Sequence, residues 1–411
     1  MNCCSRAVAC LAVLTALAAV PLGTPATILK VPGDSDTIQG AVDMAGPDTL
    51  ILVSKDIYVE IVSIMDKSNL TLIGKGKPAI DVGLPTTAIT IGNCDGVVIQ
   101  GFTVQDAGVG VEIFGSTNVS VKKCLIRDMT EQGVRASDSS FVVVQRNTLM
   151  DIDVDGLDIG DVPGVTDCSV LKNKLKDIGN HGILIGGDRN LVEKNSVTGT
   201  GGHGLETRSL VSSNDNTFRS NRVKDAGNVG MLANGTGNLF EKNRVVMTVD
   251  DGMRIPAGST GNTFLGSRIS KAGDEGIRVE GDGNTVDGCK VSGAGDEGIE
   301  IVGNANLVED SKSSKSADGG VLCEGADNTF RGCKASGSLG NGFDVRATGN
   351  TFEECKASKS AEDGFLVEGT GHTFTGNKAT GSGNLDLEDL NGMVGPNTYV
   401  GNTFPDNNLG L

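Results

Sequence analysis

Between Gly133 and Gly364 the apolar and polar positions recur with a long period. A glycine opens each unit: Gly133, Gly156, Gly182, Gly204, Gly230, Gly252, Gly276, Gly298, Gly320, Gly342 and Gly364, at steps of 22 to 26 residues with 22 the commonest. An apolar, a variable and usually a second apolar residue follow, as in Ile277-Arg278-Val279 and Phe343-Asp344-Val345. That alternation predicts a short strand with one buried face. Nine residues before each glycine runs a second column: Cys124, Asn147, Asn173, Asn195, Asn221, Asn243, Ser267, Cys289, Ser311, Cys333 and Cys355. Three residues earlier stands Val or Phe, from Val121 through Phe218 and Phe264 to Phe374.

A unit of about 22 residues with two or three strands and no helical period cannot close a core alone, so successive units must stack. The prediction is an all-β solenoid, each strand pairing in parallel with its copy one turn on. Val and Phe columns fill the interior. The Asn/Ser/Cys column forms an inward ladder at a bend, where Asn amides bond to backbone and to one another. Some thirteen turns at about 4.8 Å give a length of roughly 60 Å. The 60 glycines are expected at tight corners that need unusual dihedrals. Residues 34–46 read as the one helix. Asp36 and Gln39 form a capping pair, Ile38, Ala41, Val42 and Ala45 make its apolar stripe, and Gly46-Pro47 ends it. It would plug the first turn and block edge-to-edge growth, leaving a monomer. Strands are expected over 50–53, 61–64, 70–73 and 97–104, and residues 385–411 as a C-terminal cap.

Composition narrows the function. The 411-residue chain carries a net charge of −17, no Trp and three His. That balance argues against nucleic acid as a partner. Only the N-terminus has a long apolar run, and Arg6 is the only charge before Lys30. Residues 1–26 therefore read as a cleaved export signal, leaving a mature domain of 27–411 that is periplasmic, extracellular or surface-attached and has no membrane span. Cys3, Cys4 and Cys10 leave with the signal. Of the seven that remain, Cys333 and Cys355 sit one turn apart, either as buried thiols or as a disulfide.

The segments Thr37-Ile38-Gln39-Gly40-Ala41-Val42, Ile57-Tyr58-Val59-Glu60, Leu70-Thr71-Leu72-Ile73-Gly74 and Gly101-Phe102-Thr103-Val104 resemble the start of right-handed parallel β-helix proteins, the pectate-lyase-like superfamily. That group includes pectin lyases and hydrolases, pectin esterases, alginate epimerases and NosD-type proteins. The resemblance implies a single-stranded, right-handed parallel β-helix, but one solenoid hosts many chemistries. Asp153-Val154-Asp155-Gly156-Leu157-Asp158 is similar to the polygalacturonase Asn-Thr-Asp-Gly segment, and Gly202-His203-Gly204 to its Gly-His-Gly. Asn180-His181 stands where that family has Asp-Asp, and the Arg-Ile-Lys that should follow is absent.

Turn length points to a site. The arc from column glycine to the next ladder residue is 13 residues in regular units but 17 from Gly156 to Asn173, 17 from Gly204 to Asn221 and 15 from Gly252 to Ser267. Lengthened turns on one side of a solenoid often build its binding face. Beside them Asp155, His181 and His203 precede the column glycine on three successive turns, a candidate acid–base set for work on a sugar ring. Asp158, Glu206 and Arg208 follow on the same strands as candidate ligand-binding residues, with Arg208 able to hold a uronate. Asp155, His181 and His203 would also suit a divalent metal. Asp151, Asp153 and Asp155 copy the start of a calcium loop, though position twelve is Val162. Asp274-Glu275, Asp296-Glu297 and Asp318 recur one turn apart and either recruit cations or solubilise the chain. Two functions stay open: a carbohydrate-associated binding or structural protein, and a polysaccharide lyase, hydrolase or epimerase acting on acidic glycans.

Overall fold

The computed structural model describes residues 27–160, 165–209, 213–391 and 397–411. The predicted signal, with Cys3, Cys4 and Cys10, lies outside them. The chain forms three long parallel sheets of 17, 15 and 15 strands, about sixteen turns in all rather than thirteen. The additional turns lie before Gly133; Gly110 still opens the one at Val111–Phe114, while Ile61 and Ala88 replace the glycine in the two before it. In each unit the strand after the column glycine belongs to sheet C. The Val/Phe strand belongs to sheet A, and the strand after the ladder belongs to sheet B. Gly276 thus precedes Ile277–Val279 in sheet C, Thr285–Asp287 follows in sheet A, and Lys290–Ser292 in sheet B.

Register is kept from turn to turn, so equivalent side chains overlie one another. Phe218 pairs with Phe240, which pairs with Phe264. The rings of Phe218 and Phe240 stack at 4.4 Å, those of Phe330 and Phe352 at 4.6 Å, and those of Phe343 and Phe365 at 4.6 Å. The ladder is also as expected. Asn195 Nδ2 donates to Asn221 Oδ1 at 3.1 Å and to the Val170 carbonyl at 2.8 Å, while its own backbone N–H donates to Asn221 Oδ1 at 2.9 Å. Every polar group of this buried amide column has a partner, which is what burial demands.

A second ladder runs one residue before the sheet A strands and was not read from the sequence. Asn190, Asn216, Asn238, Asn262 and Asn284 each receive the backbone N–H of the turn before, from Cys168 onward. His372 stands in for Asn in this column. It accepts from the Asn350 N–H through Nδ1 at 3.1 Å.

Many glycines do sit at the expected corners with positive φ, such as Gly199, Gly293 and Gly337, but the column glycines do not. The column glycines lack room. A Cβ on Gly133 would meet Leu149 at 2.5 Å and the Gly156 carbonyl at 2.6 Å, and the same collision repeats at Gly276 with Val291 and Gly298. Left-handed corners are also often taken by Asp, Lys or Arg, such as Asp151, Lys172 and Arg146. The expected strand over 97–104 is two strands, Val98–Gln100 in sheet A and Thr103–Ala107 in sheet B. Gly101, at φ +82°, turns the corner between them.

The helix is Ile38–Met44, capped by Thr37 rather than by an Asp36–Gln39 pair. Its first N–H groups donate to the Glu60 carboxylate, Ile38 at 2.9 Å and Gln39 at 2.8 Å. The Gln39 side chain reaches the Ser63 backbone instead. Ile38, Ala41 and Val42 bury against the first coils. All seven cysteines from Cys94 to Cys355 are buried free thiols, so Cys333 and Cys355 are not joined. Among the described residues no helix is long and apolar enough to cross a membrane.

Candidate functional site

The strands of sheet C put every second side chain outward, and the residue before the column glycine sits at the bend leading into it. Register pairs Asp158 with Leu184 and Leu184 with Glu206. His181 and His203 precede glycines one turn apart, so their rings stack, 5.1 Å between centroids and 6° from parallel. The His203 backbone N–H donates to His181 Nδ1 at 3.2 Å, and Glu206 Oε2 lies 3.5 Å from the same nitrogen. A nitrogen that accepts an N–H holds a lone pair there, so the His181 ring is neutral in this arrangement. Burial lowers the His181 pKa, and burial together with the proximity of a second imidazole, His181, lowers that of His203 to about 4. Burial pushes Glu206 up to about 7, against the pull of Arg208. His203 Nδ1 is buried with no hydrogen-bond partner.

Eight site residues were singled out on chemistry, and the structure sorts them. His181, His203 and Glu206 converge, with one donor atom from each within 4.8 Å of the others. Asp155 faces the next turn, where its Oδ1 accepts from Asn180 Nδ2 at 3.0 Å and the His181 backbone at 2.9 Å. It organises the His181 bend but is not in the convergent set. Arg208 reaches across Leu184 to Asp158, Nη2 to Oδ1 at 2.6 Å, with Asp158 almost wholly buried. A ligand carboxylate would have to compete with Asp158 for that guanidinium. Asp151 and Asp153 are exposed and belong to no convergent group of ligating atoms. The long arcs beside the cluster include residues 161–164 and 210–212, which lie outside the described residues.

The same two columns continue down the solenoid, where sequence reasoning did not follow them. Asp251 and Glu275 take the position of His203, and Arg254, Arg278 and Glu300 that of Glu206. Arg278 Nη1 lies 2.8 Å from Glu275 and 3.1 Å from Glu300, and its Nε 3.0 Å from Glu280. Arg254 holds Glu280 at 2.7 Å. Burial raises Asp251 to about 9 and Glu300 to about 8. Reading the residue before each glycine and the second one after it vertically would have found this network. Asp274, Glu275 and Asp296 also bring carboxylate oxygens together, as do Asp296, Glu297 and Asp318.

Two donor chemistries therefore lie on one face. Two imidazoles and a carboxylate suit zinc-like ions, and the oxygen-only groups suit calcium. Neither of the grooves of about 330 and 300 Å³ lies here; both are on sheet B.

The family model described as "Right handed beta helix region" matches residues 81–185, 162–312 and 255–408. No curated protein matches the chain. Among solved structures, the A-module of the Azotobacter vinelandii mannuronan C-5 epimerase AlgE4 is similar at 15% identity and a TM-score of 0.54, over 67% of this chain and 89% of that one. Tailspike protein 3 of bacteriophage CBA120 is similar at 11% identity and a TM-score of 0.52, over 88% of this chain and 57% of its own. Likeness at these identities establishes a shared fold.

Proposed function

The chain belongs to the right-handed β-helix family, and from that premise we propose that it is an exported, carbohydrate-associated protein that binds glycan at the His181–His203–Glu206 cluster. The observation that carries this reading is the convergence of those three side chains on one outward face, with the buried His203 Nδ1 unpartnered. A neutral imidazole of the pair can accept from a sugar hydroxyl, and Glu206, protonated over much of the acidic to neutral range, can donate to a ring or glycosidic oxygen. The epimerase and the tailspike lend the fold's precedent only.

A second reading, a lyase, hydrolase or epimerase on an acidic glycan, is favoured by one feature. Glu206 at about 7 beside two neutral imidazoles is an acid next to bases, the pairing that proton transfer on a sugar ring uses. Against it, Asp155 and Asp158 are engaged within the protein. Calcium, in this proposal, belongs with the oxygen-only groups around Asp274 and Asp296 rather than with Asp151–Asp155.

The test is a glycan screen of the purified protein, with and without calcium, scoring both binding and new reducing or unsaturated ends. His181→Ala with His203→Ala should fold normally and lose binding by tenfold or more. Full binding in that double variant removes the site. Product formation by the wild type, abolished in Glu206→Gln, moves the assignment to the enzymatic reading.

A further inference from the structure

Sheet B carries a feature that the net charge hides. At its first outward position, Arg222, Arg244, Arg268, Lys290, Lys312, Lys334, Lys356 and Lys378 pair in unbroken register. Every one of them is exposed, and among the described residues none makes an ion pair. Two residues further along, the same strands present a hydroxyl row, from Ser270 through Ser314 to Thr380. Beyond it Lys271, Lys315 and Lys359 stand exposed at left-handed corners on alternate turns. The two grooves lie over this strip and meet at Lys312, one of about 300 Å³ running from Arg244 and one of about 330 Å³ running to Lys378.

Like charges on directly opposed strand positions repel, so this column costs the isolated protein stability. A chain of −17 net charge nevertheless sets eight of its cations in one file. We propose that sheet B, from Arg222 to Lys378, is a docking face for a linear acidic polysaccharide lying along the solenoid axis, one carboxylate or sulfate per sugar.

The spacing argues for that class. Opposed cations repeat at about 4.8 Å, a match for a polymer with one charge per sugar unit. Duplex DNA presents a charge every 3.4 Å along each strand, out of step with the column. Single-stranded nucleic acid is gripped through aromatic platforms under its bases, and this strip offers Ser, Thr, Ala and Val. The hydroxyl row supplies partners for sugar oxygens, and the acidic remainder of the surface confines a polyanion to the strip. The inference is independent of the sheet C cluster.

The experiment titrates the full chain with polygalacturonate and heparin, with dextran as the neutral control and poly(U) as the nucleic acid. Wild type should bind both acidic polysaccharides, lose affinity with salt, and ignore dextran. Lys312→Ser, Lys334→Ser and Lys356→Ser together should weaken binding tenfold or more. They should also reduce the slope of log K against log salt by about 2, near 0.7 per lost contact. The corresponding triple Arg variant should bind as wild type, and His181→Ala with His203→Ala should leave this binding unchanged. The inference is overturned if the triple Ser variant, shown folded by its unfolding transition, binds undiminished. It is overturned equally if poly(U) outcompetes the polysaccharides, or if the sheet C double variant alone abolishes binding.

Discussion

Sheets B and C are built from the same units, in the same register, and their outward faces differ in one respect. On sheet C, charges of both signs are mixed down the column and close on one another, with Arg278 reaching Glu275 and Glu280 on its own turn and Glu300 on the next. On sheet B, eight cations stand in file, and among the described residues none of them is ion-paired. The backbone is indifferent to the choice. A face whose charges pair with one another is part of the structure, and a face whose charges repel is stable enough to fold but left open to an external anion.

The largest test of that contrast is to remove a cation from the satisfied face. Arg278→Ala strands Glu275 and Glu300, whose side chains are only 5% and 8% exposed. Breaking one partner of a buried network is expected to cost about 3 kcal/mol. Chemical denaturation at neutral pH checks it. A loss under 1 kcal/mol would mean that the network is no more structural than the sheet B file.

Next comes pH. Glu300 and Asp251 hold protons more tightly in the folded state, at about 8 and about 9, because burial disfavours their charged forms. Their contribution is complete below the ordinary carboxylate range and is lost as pH rises toward those folded values. The protein should therefore unfold more easily at about pH 8 than at about pH 5, and Glu300→Gln with Asp251→Asn should raise Tm at the higher pH and do little at the lower. Melting curves at the two pH values decide it.

How much of this contrast could be read beforehand depends on which direction the sequence is read. Along the chain, the period, the alternation after each glycine and the Asn column were legible, because each reflects a local constraint repeated many times. The corner role expected of glycine holds at positions such as Gly101 and Gly199, but not for the column glycines, because the constraint at Gly133 or Gly276 is a carbonyl one turn away, which no local dihedral argument contains. His372 looked like any histidine until the second ladder showed it replacing an amide. His181, His203 and Glu206 were found because they are chemically rare. The lysines of sheet B were overlooked because one Lys or Arg per unit is ordinary, and only stacking turns it into a file. A net charge of −17 concealed them further.

The smallest effect is the most pointed. Lys334 sits between Lys312 and Lys356, opposed to both. Lys334→Glu replaces two repulsive cross-strand neighbours with two attractive ones on a solvated surface, where such pairs add little. Tm should rise by about 1 °C rather than fall. The same substitution should weaken polygalacturonate binding more than Lys334→Ser does, since it also introduces repulsion into the docking strip. On sheet C the corresponding inversion, Arg278→Glu, should lower stability by more than Arg278→Ala, because it adds a carboxylate to three already present. A stabilised protein with a poorer polyanion affinity would separate what the sheet B file does for the fold from what it does for a ligand. If Lys334→Glu instead destabilised the protein as Arg278→Glu should, the two faces would be governed by the same balance and the file would have no claim to an external partner.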